Sequence, residues 1–193
     1  PAMRLGSEEL ESVLIRLIAY FPGKSEPINL EVIGTSNSVD LAVLEMATVP
    51  TGVTGLSLTD NKATPGQEVI VMGYPTGLKS LLAQSGSAFV EDLKKSKETG
   101  FWVVAEKLAA ANLIAPLASR GIVGQATEAT IVYDAETTHG GSGGPVLNTN
   151  GLVVAVNTAI IPEYGGSNLG VPAAYIHTLL TRLKENPQRD DKK

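Results

Sequence analysis

The chain has 193 residues, a formal net charge of −5 at pH 7 and 43% hydrophobic residues, which together are typical of a folded globular domain. It contains no cysteine, which excludes a disulfide scaffold, a thiolate metal site and a cysteine nucleophile. The acidic balance argues against a nucleic-acid partner, and no apolar run approaches the roughly 20 residues that cross a bilayer.

The first half of the sequence predicts short strands joined by turns. Two alternating segments, 13–20 and 28–34, flank a Phe-Pro-Gly-Lys turn signal and would pair with each other. A helix over 7–18 with a serine cap is the alternative interpretation of the first of them. The apolar runs 41–44 and 67–72 predict two further buried strands.

The second half adds helices to this pattern. The segment from Glu91 to Ile114 is rich in alanine and larger apolar residues and ends before Pro116, which predicts a helical insertion. From 173 to 183 apolar residues recur on one helical stripe, which predicts a closing amphipathic helix. Between these helical regions, short apolar segments predict four strands: 121–124, 129–133, 145–147 and 152–156.

The segment with the most specific chemistry is Gly-Gly-Ser-Gly-Gly-Pro at 140–145, directly ahead of an apolar strand. Four glycines around one serine let the backbone turn tightly and approach a ligand closely. Such a turn can direct successive N–H groups at one point, as an oxyanion requires. A glycine-rich hairpin without chemistry is the alternative interpretation.

A second candidate is Asp40, which stands at the start of the apolar strand 41–44. An aspartate at a strand edge can orient an imidazole and stabilise its charged form. Taken alone, an aspartate at this position is more often a turn or cap residue than a catalytic one.

Several motifs, in their order along the chain, resemble the chymotrypsin-fold serine peptidases, and among these the HtrA/Deg branch. They are Val-Asp-Leu-Ala-Val-Leu at 39–44, Gly-Tyr-Pro-Thr-Gly at 73–77, Tyr-Asp-Ala at 133–135, the serine motif at 140–145 and Val-Asn-Thr-Ala-Ile-Ile at 156–161. The resemblance implies an all-β, chymotrypsin-like double β-barrel with an incomplete N-terminal barrel, a helical insertion and a C-terminal helix. It places the site in the cleft between the barrels.

On this basis the chain is expected to have six segments. They are a tag or leader remnant (1–12), the remainder of the N-terminal barrel (13–78), a connecting segment with the helical insertion (79–117), the C-terminal barrel with the nucleophile (118–172), the closing helix (173–186) and a flexible tail (187–193).

The same resemblance implies the catalytic roles. Ser142 is the nucleophile, and Asp40 is the acid that orients the general base. The oxyanion hole is the loop of Gly140, Gly141 and Ser142, in which the N–H groups of the first and last residues are the donors. No metal and no organic cofactor is implied.

The resemblance also implies where a substrate lies. Thr138 and His139 are expected beside the pocket for the residue that precedes the scissile bond. Asn157, Thr158 and Ala159 are expected on the edge strand to which an extended peptide adds as a further strand. The implied partner is a peptide or an unfolded protein, a homo-oligomer is left open, and the family favours an extracytoplasmic location.

One catalytic group departs from the family pattern. The family's general base is a histidine that precedes the aspartate, and no histidine precedes Asp40 in this sequence. The two histidines are His139, expected at the pocket rim, and His177, expected to be partly buried on the closing helix, and neither is expected to act as the base. Because a serine hydroxyl is a poor nucleophile without a base, little or no proteolysis is expected of this chain.

Three hypotheses remain open from the sequence. The first is a serine endopeptidase that acts through an acyl-enzyme on Ser142 and whose histidine-bearing segment is absent from this chain. The second is a pseudo-peptidase that binds extended peptides or partner proteins without cleaving them. The third is a sensor or scaffold domain whose helical insertion is the working surface.

Overall fold

The structure is a computed structural model that describes residues 3–5, 8–10, 16–36, 38–97, 100–137, 139–161 and 167–185. The strands are β1 (Met3–Leu5), β2 (Glu8–Leu10), β3 (Ile18–Ala19), β4 (Ile28–Ser36), β5 (Leu41–Met46), β6 (Glu68–Gly73), β7 (Leu117–Ala126), β8 (Ile131–Tyr133), β9 (Pro145–Asn148), β10 (Val153–Ile161) and β11 (Ser167–Pro172). The helices are α1 (Leu78–Gln84), α2 (Ser87–Ser96), α3 (Phe101–Ala110) and α4 (Ala173–Glu185).

Three strands form an antiparallel sheet in the order β3-β4-β5, and β1 pairs with β2 in a separate hairpin. Strands β4 and β5 pair from Leu30 opposite Met46 to Ser36 opposite Leu41. Asp40 ends the turn between them and directly precedes β5. The sheet therefore presents the predicted acid at the end of a strand, as the sequence pattern suggested.

Six strands close into a barrel in the order β10-β11-β8-β7-β6-β9, and all neighbouring strands are antiparallel. Alternate side chains point into this barrel, because successive residues of a strand face opposite sides. Its interior is filled by small and medium apolar side chains together with one tyrosine: Val69, Val71, Val123, Ile131, Tyr133, Val146, Val154 and Ala155. The predicted all-β architecture with an incomplete N-terminal β-unit, a helical insertion and a C-terminal helix is confirmed.

One predicted boundary is wrong. The sequence analysis placed Glu68–Gly73 in the remainder of the N-terminal barrel, whereas this strand, β6, pairs with β7 and β9 inside the closed barrel. An alternating apolar strand fits either barrel equally well. Its partners lie far along the chain, and the pattern within the strand does not reveal them.

The helical insertion is larger than predicted and lies between β6 and β7. It begins at Leu78 rather than Glu91 and consists of three helices, because Gly86 and Gly100 separate them. Its buried residues form a second core beside the barrel: Leu81, Leu93, Val104, Leu108, Ala109 and Ile114.

The start of the chain also differs from expectation. Residues 8–10 are a strand, so the alternative helix over 7–18 is wrong there, and 11–15 lie outside the described residues. Of the predicted strand 13–20, only Ile18–Ala19 is a strand. The predicted strands at 28–34 and 41–44 and the closing helix are confirmed.

Helix α4 packs against both β-units. A Cβ atom on Gly34 of β4 would lie 2.7 Å from Leu183 Cδ2, so the helix rests directly on the backbone of the sheet. The Arg182 guanidinium also donates to the Thr35 carbonyl at 2.8 Å. Contacts of the same helix with β10 and β11 connect it to the barrel. Among the described residues, no helix has the length and apolarity of a membrane span.

Two glycines of β7 provide a matched test of the barrel packing. A Cβ atom on Gly121 would overlap the backbone N of Ala135 and lie 2.7 Å from its Cα, whereas one on Gly124 would first meet the Val132 carbonyl at 3.9 Å. We expect Gly121→Ala to lower the free energy of unfolding by about 2 kcal/mol or more, because β7 must move. Gly124→Ala should stay within about 1 kcal/mol of the parent. Urea unfolding followed by circular dichroism measures both, and equal losses would contradict the packing.

Candidate active site

Ser142 lies in a loop whose backbone favours glycine on both sides. Gly140 has φ +94° and Gly143 has φ +84°, a region that side-chain-bearing residues rarely adopt. A Cβ atom on Gly140 would also lie 2.6 Å from the carbonyl oxygen of Tyr74. Backbone conformation therefore favours glycine at both Gly140 and Gly143, and close packing also requires it at Gly140.

Residues 73–77, at and after the end of β6, pack against the serine loop. The N–H of Thr76 donates to the His139 carbonyl at 2.6 Å. A Cβ atom on Gly73 would lie 3.2 Å from the Cα of Gly141. Sequence reasoning noted the Gly-Tyr-Pro-Thr-Gly motif but placed it in the other barrel and gave it no role at the site.

Asn157 holds the other end of the loop with its backbone. The Gly143 N–H donates to the Asn157 carbonyl at 2.7 Å, and the Asn157 N–H donates to the Gly144 carbonyl at 2.9 Å. These two bonds attach the residues that follow Ser142 to β10. The position of the serine relative to the barrel is thus set by main-chain hydrogen bonds.

The side chain of Asn157 points into the barrel core. Its exposed fraction is 2%, and its Oδ1 accepts a hydrogen bond from the Tyr133 hydroxyl at 2.5 Å. Burial raises the pKa of the Tyr133 hydroxyl above its ordinary value, so this group stays protonated and donates. Sequence reasoning missed Tyr133, because nothing in the local pattern distinguishes a core tyrosine that supports the loop from one that only fills space.

Three N–H groups of the loop have no backbone acceptor among the described residues. Those of Gly140, Gly141 and Ser142 donate to no carbonyl in the described part of the chain, in contrast to those of Gly143 and Gly144. Unoccupied donors beside a serine have the chemistry needed to stabilise a developing oxyanion.

Asp40 and Ser142 line the same cleft. It has a volume of about 550 Å³ and lies between β5, the serine loop with β10, and α4, which contributes Ile176 and Leu180. The structure therefore brings together two residues that the sequence singled out and that stand 102 positions apart (142 − 40). The cleft separates the three-stranded sheet from the closed barrel.

Comparison with known families identifies this arrangement. The sequence profile of the trypsin-like peptidase domain matches residues 18–156. The chain belongs to the trypsin-like peptidase domain family. Its cleft between two β-units occupies the position that the family resemblance predicted for the site of the peptidase domain.

Two curated relatives of the peptidase domain are bacterial. The periplasmic pH-dependent serine endoprotease DegQ of Escherichia coli K12 is 26% identical over 157 residues, which are 79% of this chain and 28% of that protein. The periplasmic serine endoprotease DegP of Salmonella typhimurium is 24% identical over 163 residues, which are 82% of this chain and 28% of that protein. The chain thus spans 28% of the length of each of these two relatives.

Solved structures show the same fold. A protease from Mycobacterium tuberculosis in its active form has a TM-score of 0.58 and 18% identity, covering 81% of this chain and 59% of that one. A serine endoprotease from Yersinia pestis has a TM-score of 0.57 and 17% identity, covering 84% of this chain and 46% of that one.

Neither histidine of the peptidase domain lines the cleft. His139 is exposed in the turn before Gly140. His177 is on α4, where 46% of its side chain is exposed, more than the partly buried position expected, and its Nε2 lies 3.5 Å from Asp60 Oδ1 beside a different cavity. The Ser142 hydroxyl donates to the Thr158 carbonyl at 3.0 Å. Within the described residues, no imidazole is placed to accept the proton of this serine.

The predicted substrate strand has one open edge. Strand β9 pairs with β10 only as far as Val156, whereas β11 continues along it to Ile161. Beyond Asn157, no strand pairs with this side of β10 among the described residues, although the Thr158 carbonyl accepts a hydrogen bond from the Ser142 hydroxyl. Ala159 is exposed. Thr138 lies outside the described residues.

Removing the hydroxyl that supports the serine loop gives a direct test of this arrangement. We expect Tyr133→Phe to lower the free energy of unfolding by about 1–3 kcal/mol, because Asn157 Oδ1 is left buried without its donor. Tyr175→Phe, at a partly exposed position on α4, is the control. Chemical unfolding measures the free energy of unfolding of both variants. A loss for Tyr133→Phe that is no larger than the loss for Tyr175→Phe would contradict the role of the Tyr133 hydrogen bond.

Proposed function

We propose that this peptidase domain carries the site of a serine endopeptidase that acts through an acyl-enzyme on Ser142. The observation that carries the proposal is that Asp40 and Ser142 line one cleft from opposite β-units. The unoccupied N–H groups of the serine loop add to it. Membership of the trypsin-like peptidase family supports the same reaction class.

In the proposed reaction the Ser142 oxygen attacks the carbonyl carbon of a peptide bond while an imidazole base accepts the hydroxyl proton. The N–H groups of Gly140 and Ser142 stabilise the oxyanion, and the Asp40 carboxylate stabilises the imidazolium. The proton then passes to the departing amine, the C–N bond breaks, and the acyl group remains on Ser142. Water next attacks the ester with the base again accepting a proton, which releases the acid and restores the serine.

The chain itself is proposed to cleave peptides slowly or not at all. Neither His139 nor His177 lines the cleft, so the step that moves the serine proton lacks its base. Loss of a triad member leaves only the part of the rate enhancement that binding and the oxyanion hole provide.

A second candidate function is peptide binding without cleavage. The observation that favours this function is the hydrogen bond that the Ser142 hydroxyl donates to the Thr158 carbonyl. The hydroxyl proton is therefore directed at a carbonyl oxygen and not at a base. The open edge at Thr158 and Ala159 would hold an extended peptide by strand addition in either case.

The natural partner is proposed to be a peptide or an unfolded protein, and the location extracytoplasmic. Both proposals rest on DegQ and DegP, which are named as periplasmic serine endoproteases. They extend only to the domain that the chain shares with those longer proteins.

Chemical rescue tests the proposed site in the chain as it is. Imidazole added to the solution can enter the cleft, accept the Ser142 proton and interact with Asp40. We expect the rate at which a fluorophosphonate labels Ser142 to rise about tenfold or more with imidazole, since a positioned base contributes about 10²–10⁴-fold and a free one contributes less. Intact-protein mass spectrometry measures the rate.

Matched variants identify the groups involved. Ser142→Ala should remove the labelling, and Asp40→Asn should remove most of the rescue without preventing folding. His139→Gln and His177→Gln should leave both rates unchanged, because neither side chain lines the cleft. Saturable peptide binding without any Ser142-dependent labelling would exclude the endopeptidase proposal and leave the binding function.

A further inference from the structure

The helical insertion and the β-units enclose an apolar pocket that the proposed reaction does not use. This aromatic pocket has a volume of about 370 Å³, and its lining includes Arg16, Tyr20, Tyr74, Leu81, Phe101 and Trp102. Its size lies within the range of cavities that hold ligands.

The rim of the aromatic pocket exposes large rings to solvent. Phe101 is 57% exposed and Trp102 is 43% exposed, although the two rings contact each other edge to face at 4.9 Å. The Arg16 guanidinium lies 5.2 Å from the centre of the Trp102 ring and holds it by a cation–π interaction. Contiguous exposed aromatic surface of this kind marks a binding site more often than a packing defect.

Tyr20 adds no accessible polar side-chain group to the aromatic pocket. Its hydroxyl is shielded from solvent and makes no hydrogen bond in the part of the chain that the structure describes. Because water does not reach this hydroxyl, a ligand in the open pocket does not reach it either. Tyr20 is nevertheless part of the lining, which suits an apolar ligand group.

The aromatic pocket lies next to the serine loop. Tyr74 and Gly77 belong to its lining, and a Cβ atom on Gly140 would lie 2.6 Å from the Tyr74 carbonyl oxygen and 3.2 Å from the Gly77 N. Gly140 and Ser142 are two residues apart, which is at most about 7 Å of extended chain. A peptide bound at Ser142 would therefore reach the aromatic pocket within roughly two to four residues.

Strand β10 and the aromatic pocket contact the serine loop at different ends. Strand β10 contacts Ser142 through the Thr158 carbonyl, and its open edge is the proposed place for the residues on the acyl side of the scissile bond. The aromatic pocket reaches the loop at Gly140 instead. The residues that follow the scissile bond would therefore run away from β10 and toward the aromatic pocket.

We infer that the aromatic pocket binds a large apolar side chain of the polypeptide on the leaving-group side of the scissile bond. The side chain packs against Leu81 and the Phe101–Trp102 pair. This inference rests on the proposed function and adds the class of substrate that the site selects, namely segments with a phenylalanine or leucine two to four residues after the cut.

Trp102 is the single tryptophan of the chain and serves as the reporter. Two blocked decapeptides, identical except for a phenylalanine or an alanine three residues after the intended cut, are titrated against the Ser142→Ala chain. We expect a saturable change in Trp102 emission with both and about tenfold tighter binding of the phenylalanine peptide, because its ring is buried. Phe101→Ala should weaken the phenylalanine peptide about threefold or more and leave the alanine peptide nearly unchanged, because a ring that packs against the phenylalanine is lost.

A matched pair in α3 locates the binding. Ala105 is buried and lines the aromatic pocket, whereas Ala110 of the same helix is exposed. Ala105→Leu should fill the pocket and abolish the preference for phenylalanine, and Ala110→Leu should preserve it. Thermal unfolding of each variant verifies that both are folded, and Phe101→Ala provides the second test should Ala105→Leu fail to fold.

The connection to Ser142 has a separate readout in the parent chain. With imidazole present, saturating phenylalanine peptide should slow fluorophosphonate labelling of Ser142 at least fivefold. Equal affinity for the two peptides, an unchanged preference in the folded Ala105→Leu chain, or full binding without protection of Ser142 would each overturn the inference. If the proposed function is wrong, Ser142 will not be labelled even when no peptide is present. That result would overturn the assignment of the pocket to the leaving-group side. The peptide titration would still decide whether the pocket binds the phenylalanine ring.

Discussion

Two main-chain hydrogen bonds between Asn157 and the Gly143–Gly144 pair fix the serine loop to the closed barrel. The Tyr133 hydroxyl holds the Asn157 side chain in the core at 2.5 Å, so the loop is attached through β10 to the most buried part of the protein. Backbone packing of Gly140 on Tyr74 fixes the other end. The nucleophile candidate is therefore carried on a rigid support, as pre-organised catalysis requires.

The second constraint is the contact of α4 with the sheet. Because Leu183 rests on Gly34, the three-stranded sheet is held beside the barrel, and Ile176 and Leu180 of the same helix line the cleft between them. This packing brings Asp40 to the cleft that contains Ser142. This packing positions the candidate acid and the candidate nucleophile without a contribution from either histidine, because neither histidine lines the cleft.

Local pattern predicted most of the strands, the closing helix and the serine loop, since alternation and glycine spacing are properties of short segments. The partners of β6 could not be predicted, because its alternating Val69 and Val71 suit any half-buried sheet. The start of the insertion was missed because α1 is a single short helix that ends at Gln84, two residues before the Gly86 cap of α2. The pairing of Tyr133 with Asn157, 24 residues apart, and the approach of Tyr74 to Gly140 depend on tertiary contacts that no segment encodes by itself.

We propose that Ser142 and the N–H groups around it form the reactive end of a peptidase cleft. A crystal structure of the chain after reaction with a fluorophosphonate tests this proposal most directly. We expect a phosphorus bonded to Ser142 Oγ and one phosphoryl oxygen within hydrogen-bond distance, about 2.7–3.1 Å, of the N–H groups of Gly140 and Ser142. An adduct on another residue, or a phosphoryl oxygen directed away from both N–H groups, would contradict it.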